Sequence, residues 1–259
     1  MNILKLFKQK SLPIGILDGG FEGIDIFNTL CKRFSNQSFI YINDLKHYPY
    51  EEKSENDIRD FVKENVEVLL SYNVSKIIVV NNSIIEYCED YLKDLSVPVI
   101  KINDIIIDYL NDNYEHKNIL FLAKQYIIKA NIYQKNLKYN HLYNVESDEL
   151  EEIVLNKQTK TAKSFEKVRE VLSSVHNREY NVLVYVDSYL NNLRIEFNEY
   201  NTGGDILNLS DIIAEVLDSE IDNKKRNPGN LILSKIERND FVKTAYWIDC
   251  KYKYIKIGE

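Results

Sequence analysis

Short runs of β-branched and aliphatic residues alternate along the chain with segments whose apolar residues recur at helical spacing. Seven runs predict strands: IGILD (Ile14–Asp18), SFIYIN (Ser38–Asn43), KIIVVN (Lys76–Asn81), VPVIKI (Val97–Ile102), NILFLA (Asn118–Ala123), NVLVYVD (Asn181–Asp187) and DILNL (Asp205–Leu209). Between most of them lie helical patterns, clearest over Asn56–Tyr72 and Thr161–His176. Strand and helix in repetition predict an α/β fold with mainly parallel sheets covered on both faces. Gly and Pro are scarce, and neither a linker nor a low-complexity tract stands out.

Two of these strands end alike. IIVVNNS (Ile77–Ser83) and VLVYVDS (Val182–Ser188) both run from an apolar strand into polar residues and a serine at the start of a helix. Open α/β sheets bind ligands outside the carboxyl ends of their strands, so the two turns predict two related halves facing a common cleft. A purely structural reading competes at both. Ser83 followed by Glu86 has the form of a capping box, and Asp187 or Ser188 could cap the second helix in the same way.

Composition narrows the classes. The 259-residue chain carries a formal charge of −7, scattered rather than blocked, and a pI near 5.3, which does not suggest direct nucleic-acid binding. The start, MNILKLFKQKSLP, has lysines and a short apolar stretch but no long apolar core or cleavage site, and no run approaches the roughly 18 apolar residues of a membrane span. A soluble, cytoplasmic protein without a membrane partner is the expectation. Cys31, Cys88 and Cys250 lie far apart with no CxxC, which argues against a disulfide framework or a zinc site, and Cys31 and Cys250 read as small buried apolar residues. His47, His116, His141 and His176 have no mutual spacing for a metal, so no metal site is expected, and DNKKRNPG (Asp222–Gly229) reads as a solvated loop.

Several motifs resemble those of glutamate racemase, within the aspartate/glutamate racemase superfamily. That family opens with a strand and D-S-G-x-G-G, and ILDGGFEGIDIF keeps Asp18, Gly20 and Gly23. Its D-T-A-R-V-P-Y-G-x-K-S motif is matched by NDLKHYPYEEKS, with Asp44, Pro49, Tyr50, Lys53 and Ser54 retained and His47 inside the matched segment. VPVI (Val97–Ile100) matches a family strand. The T-x-x-T-x-x-S-x-x-Y segment aligns with ILFLAKQYIIKANIY, keeping Tyr133 but not the threonines. LILSKIERNDFVKTAYWIDCKYKYIKI has the pattern of the C-terminal strand–helix–strand. The resemblance implies two pseudo-symmetric doubly wound domains with a cleft between them, one of residues 1–101 plus 208–259 and one of residues 102–207.

The family's chemistry, by the same resemblance, uses no cofactor. Two cysteines, one from each half, flank the α-carbon of glutamate; one takes its proton and the other returns one to the opposite face. Here Asn81 and Asp187 stand at those two positions, and Tyr189 replaces a histidine that assists the second thiol. A carboxamide has no useful proton-transfer pKa, so this pair is not competent for the two-thiol reaction. Around it, Pro49, Tyr50, Asn82, Ser83 and Ser188 keep substrate-binding groups, Gly19 replaces a serine, and Glu51 brings a carboxylate where the family has glycine. That charge would repel an acidic ligand if desolvated.

Three functional readings stay open. The favoured one is a racemase-like protein inactive as a racemase and retained for binding, either of a small acidic amino acid or related ligand or of a protein partner, with DNA gyrase suggested by family analogy alone. The second is altered acid–base chemistry between Asp18, itself a candidate turn residue, and Asp187. The third is an active amino-acid racemase with unforeseen bases. Family members commonly dimerise, so a homodimer belongs among the expectations.

Overall fold

The computed structural model describes residues 12–218, 221 and 229–258. Residues 1–11 and 222–228, which hold most of the N-terminal stretch and of the DNKKRNPG segment discussed above, lie outside the described residues. The described strands are β1 (Ile14–Asp18), β2 (Phe39–Asn43), β3 (Lys76–Val79), β4 (Val99–Lys101), β5 (Asn118–Ala123), β6 (His141–Glu146), β7 (Val182–Tyr185), β8 (Asp205–Leu207), β9 (Leu231–Ser234) and β10 (Lys253–Lys256). They form one sheet in the order β10-β9-β2-β1-β3-β4 and another in the order β6-β5-β7-β8. Every pairing is parallel.

All five residues of β1 and of β2 are buried, as parallel strands with both faces covered require. Their apolar runs therefore show no alternation. Each large aliphatic side chain so buried contributes about 1.5–3 kcal/mol relative to exposure. Helices α1 (Ile24–Arg33), α2 (Glu55–Ser71) and α3 (Asn82–Tyr87) follow β1, β2 and β3. Ser54 caps α2, its side chain accepting the Asp57 N–H. The long helical pattern at 161–176 is an α-helix over Ala162–Leu172, capped by Thr161, and then a 3-10 turn over Ser173–Val175.

Contacts divide the chain into two compact units. One comprises Phe27–Lys101 with the described residues up to Phe21 and from Leu217 onward; the other comprises Glu22–Ile26 and Ile102–Val216. Each unit contains one sheet. In each, a strand has neighbours on both sides that follow it in the chain: β1 lies between β2 and β3, and β5 lies between β6 and β7. These are topological switch points, where open α/β sheets place their binding crevices. No helix among the described residues is long and apolar enough to cross a membrane.

Candidate functional sites at the strand ends

In the first unit the switch point is framed by Asp18, at the end of β1, and Asn81, just beyond β3. Asp18 is fully buried; one carboxylate oxygen accepts the Gly20 N–H at 3.0 Å and the other accepts the Tyr41 hydroxyl at 2.6 Å. It is thereby the turn residue that the Asp-Gly-Gly sequence also allowed. Asn81 is the N-cap of α3: its backbone is extended, and its Oδ1 accepts the Ile84 N–H at 3.0 Å. The serine-centred capping box is therefore corrected. The helix begins at Asn82, so Ser83 falls inside the first turn, where its buried Oγ has no hydrogen-bond partner among the described residues. Cys88 closes α3 at the other end and is buried, which pushes its thiol up to about 11.

Asp44, just beyond β2, is a second buried carboxylate in this unit. It accepts the Tyr50 hydroxyl at 2.8 Å and the Asn65 amide at 3.3 Å, and His47 Nδ1 lies 2.9 Å away. Phe61 stacks on the His47 ring, with centroids 3.8 Å apart. Burial and then Asp44 raise the Tyr50 phenol above its ordinary value. Pro49, joined to Tyr48 by a cis peptide bond, precedes a 3-10 turn over Tyr50–Glu52 that contains Glu51, half-buried. Gly19 faces the Tyr50 ring so closely that a Cβ there would lie 2.7 Å from Tyr50 Cδ2. The serine expected from the racemase pattern has no room while that ring stays in place.

In the second unit the switch point is framed by Lys124, at the end of β5, and Asp187, just beyond β7. Both are buried. Asp187 precedes a 3-10 run over Ser188–Leu193, but its side chain makes no cap hydrogen bond, and Ser188 Oγ donates instead to the Glu22 carbonyl. The capping alternative fails here, because a 3-10 run rather than an α-helix follows the strand. Lys124 Nζ forms an ion pair with Glu151, whose carboxylate also lies 3.5 Å from the Tyr189 hydroxyl. Tyr133 and Tyr189 are fully buried; burial first, and then the charge of Asp187, raise both phenols well above their ordinary value.

Sequence reasoning singled out Asp187, Ser188 and Tyr189 but missed Lys124 and Glu151. Lys124 stands directly after the apolar run NILFLA, a place where a charged residue was itself a signal. Glu151 gave none, because its partner lies far away in sequence. Among the four histidines, only His47 touches a group at either site.

No protein-family model matches the chain. Its sequence is 25% identical to the glutamate racemase of Lactobacillus acidophilus over 210 residues, 78% of each chain. It is 28% identical to that of Clostridium botulinum over 143 residues, 54% of this chain and 55% of the other. The chain is a homologue of the glutamate racemases. A glutamate racemase isoform from Bacillus anthracis superimposes with a TM-score of 0.85 at 20% identity, covering 96% of this chain and 98% of the other. The Francisella tularensis glutamate racemase in complex with D-glutamate does so with a TM-score of 0.80 at 18% identity over the same shares. The fold of the glutamate racemases is thus shared nearly end to end at low identity.

Proposed function

We propose that the chain is a racemase-fold binding protein that does not perform the two-thiol racemization, and that its ligand is a small acidic amino acid or a close relative of one. Asn81 carries this reading. At the strand end where the racemase motif has its first thiol, a carboxamide with no useful proton-transfer pKa is engaged as the N-cap of α3. Asp187, at the second position, is a buried carboxylate beside two buried phenols. Counting back nine residues from Tyr133 places Lys124 at the first threonine of the racemase pattern, so a charged side chain replaces a neutral hydroxyl.

Binding is supported by the groups that remain. Asn82, Ser83, Pro49 and Tyr50 keep the composition of the racemase turns, and the buried Ser83 hydroxyl has hydrogen-bonding capacity to spare. Lys124 brings a cation that suits a carboxylate, in competition with Glu151. Acid–base chemistry with Asp18 and Asp187 draws less support, since both Asp18 oxygens already accept hydrogen bonds, one from the Gly20 N–H of its own turn and one from the Tyr41 hydroxyl on β2.

Proton NMR in deuterated water tests the reading. D- and L-glutamate and D- and L-aspartate are each incubated with the protein, and the Cα proton signal is followed. The expected outcome is no exchange together with a thermal shift from at least one of these amino acids. Enzyme-dependent loss of the Cα proton would overturn inactivity. Absence of both effects would overturn amino-acid binding and leave a protein partner, sought by pull-down with gyrase as the first bait on family analogy.

A further inference from the structure

The three cysteines occupy different environments. Cys88 is enclosed at the end of α3, Cys31 is buried in α1, and Cys250 is half-buried in the segment between the helix Arg238–Thr244 and β10. That segment is clamped to α1 by the residue before Cys250. The Asp249 N–H donates to Asn28 Oδ1 at 3.2 Å, and the Asp249 carboxylate receives Lys32 Nζ at 2.7 Å. Asn28 and Lys32 are one helical turn apart and Cys31 lies between them in the sequence. The clamp therefore holds Cys250 beside Cys31, close enough that each thiol shifts the titration of the other.

We infer that Cys31 and Cys250 are a peroxide-oxidisable pair that closes into a reversible intrachain disulfide. Their roles are unequal. Burial, and then Cys250 itself, raise the Cys31 thiol, whereas the neighbouring Cys31 lowers that of Cys250. Cys250 is also the more exposed, so it is the attacking thiolate, and Cys31 is the resolving thiol.

In the first step Cys250 Sγ attacks one oxygen of hydrogen peroxide. The O–O bond breaks, hydroxide leaves and becomes water on taking up a proton, and Cys250 becomes a sulfenic acid. In the second, Cys31 Sγ attacks the Cys250 sulfur. The S–S bond forms, the S–O bond breaks, and the departing hydroxide leaves as water with the Cys31 proton. Two thiols and one peroxide give one disulfide and two waters, with two electrons passing from sulfur to oxygen. A segment outside helix and strand carries Cys250, so it is the side that yields as the sulfurs approach a bonded separation of about 2.05 Å.

The reduced full-length protein is titrated with hydrogen peroxide, blocked with N-ethylmaleimide, unfolded, and mapped by mass spectrometry without reductant. A Cys31–Cys250 linked peptide that dithiothreitol cleaves, with Cys88 still a thiol, is the expected result. Because the bridge spans most of the chain, the oxidised protein is also expected to melt several degrees higher than the reduced one. Cys31→Ser should leave Cys250 as a sulfenic acid that dimedone traps. Cys250→Ser should leave Cys31 unmodified at peroxide concentrations that fully oxidise the unsubstituted protein. The inference fails if Cys250 proceeds to sulfinic acid with Cys31 still reduced, if the bridge joins two chains, or if Cys31 oxidises equally well without Cys250.

Discussion

The turn after β3 and the turn after β7 occupy equivalent places in their sheets, yet they solve the same physical problem in opposite ways. At the first, a neutral carboxamide satisfies a helix N-terminus, and Asp18 is saturated by an N–H and a phenol. At the second, a buried lysine faces a carboxylate, with Asp187 and two buried tyrosines close by. A topological switch point thus specifies where polar groups collect without specifying which groups they are. The first turn keeps order through hydrogen bonds that folding needs anyway. The second keeps ionised groups in a place where each depends on another.

That contrast predicts unequal responses to substitution. Lys124→Met should be the most damaging, since it strands Glu151 beside the buried phenols. Urea denaturation is expected to show a loss of about 3 kcal/mol, with much of it regained on adding Glu151→Leu. A loss below half a kilocalorie per mole would mean that the pair is solvated and the contrast is false.

Alkaline pH probes the other end of α3. The Cys88 thiol lies near 11 in the folded protein against an ordinary value of 9.0, so the folded state holds its proton more tightly than the unfolded chain does. The corresponding stability is complete below pH 9 and drains away as pH rises toward 11, to a total of about 2–3 kcal/mol. Melting temperatures from pH 8 to 11 should fall less steeply for Cys88→Ala than for the unsubstituted protein.

The smallest effect is expected at the cap. Asn81→Ala should cost about 1 kcal/mol by chemical denaturation, and Asn81→Asp much less, because a carboxylate caps as well as a carboxamide. No equivalent cap is lost in Asp187→Ala, whose side chain makes no such bond. If Asn81→Ala and Asn81→Asp destabilise equally, capping is not what Asn81 contributes.

The same contrast shows how far the sequence could be read. Strands buried on both faces announced themselves as unbroken apolar runs, and β1, β5 and β7 fell within or at the expected bounds. β6 was missed because HLYNVE is an edge strand with only Val145 buried, so most of its side chains carry no hydrophobic signal. Sheet order needed the structure, because parallel strands are joined through helices and leave no hairpin signature. At the first turn, the sequence pointed to Ser83 as the cap, whereas Asn81 serves. Which one served depended on where β3 stopped, a boundary that single residues do not fix. Lys124 with Glu151, and Cys31 with Cys250, are partners separated by long stretches of chain, and local spacing cannot reveal them.

The closeness of Gly19 and Tyr50 bears on history as well as on packing. With the ring where it is, any side chain at position 19 must displace a buried aromatic whose hydroxyl is bonded to Asp44. The two positions are therefore coupled: Tyr50 already matches the racemase pattern, and Gly19 cannot change toward it without disturbing that ring. The serine of the racemase pattern becomes a lesion here, so this part of the molecule is entrenched in its present form.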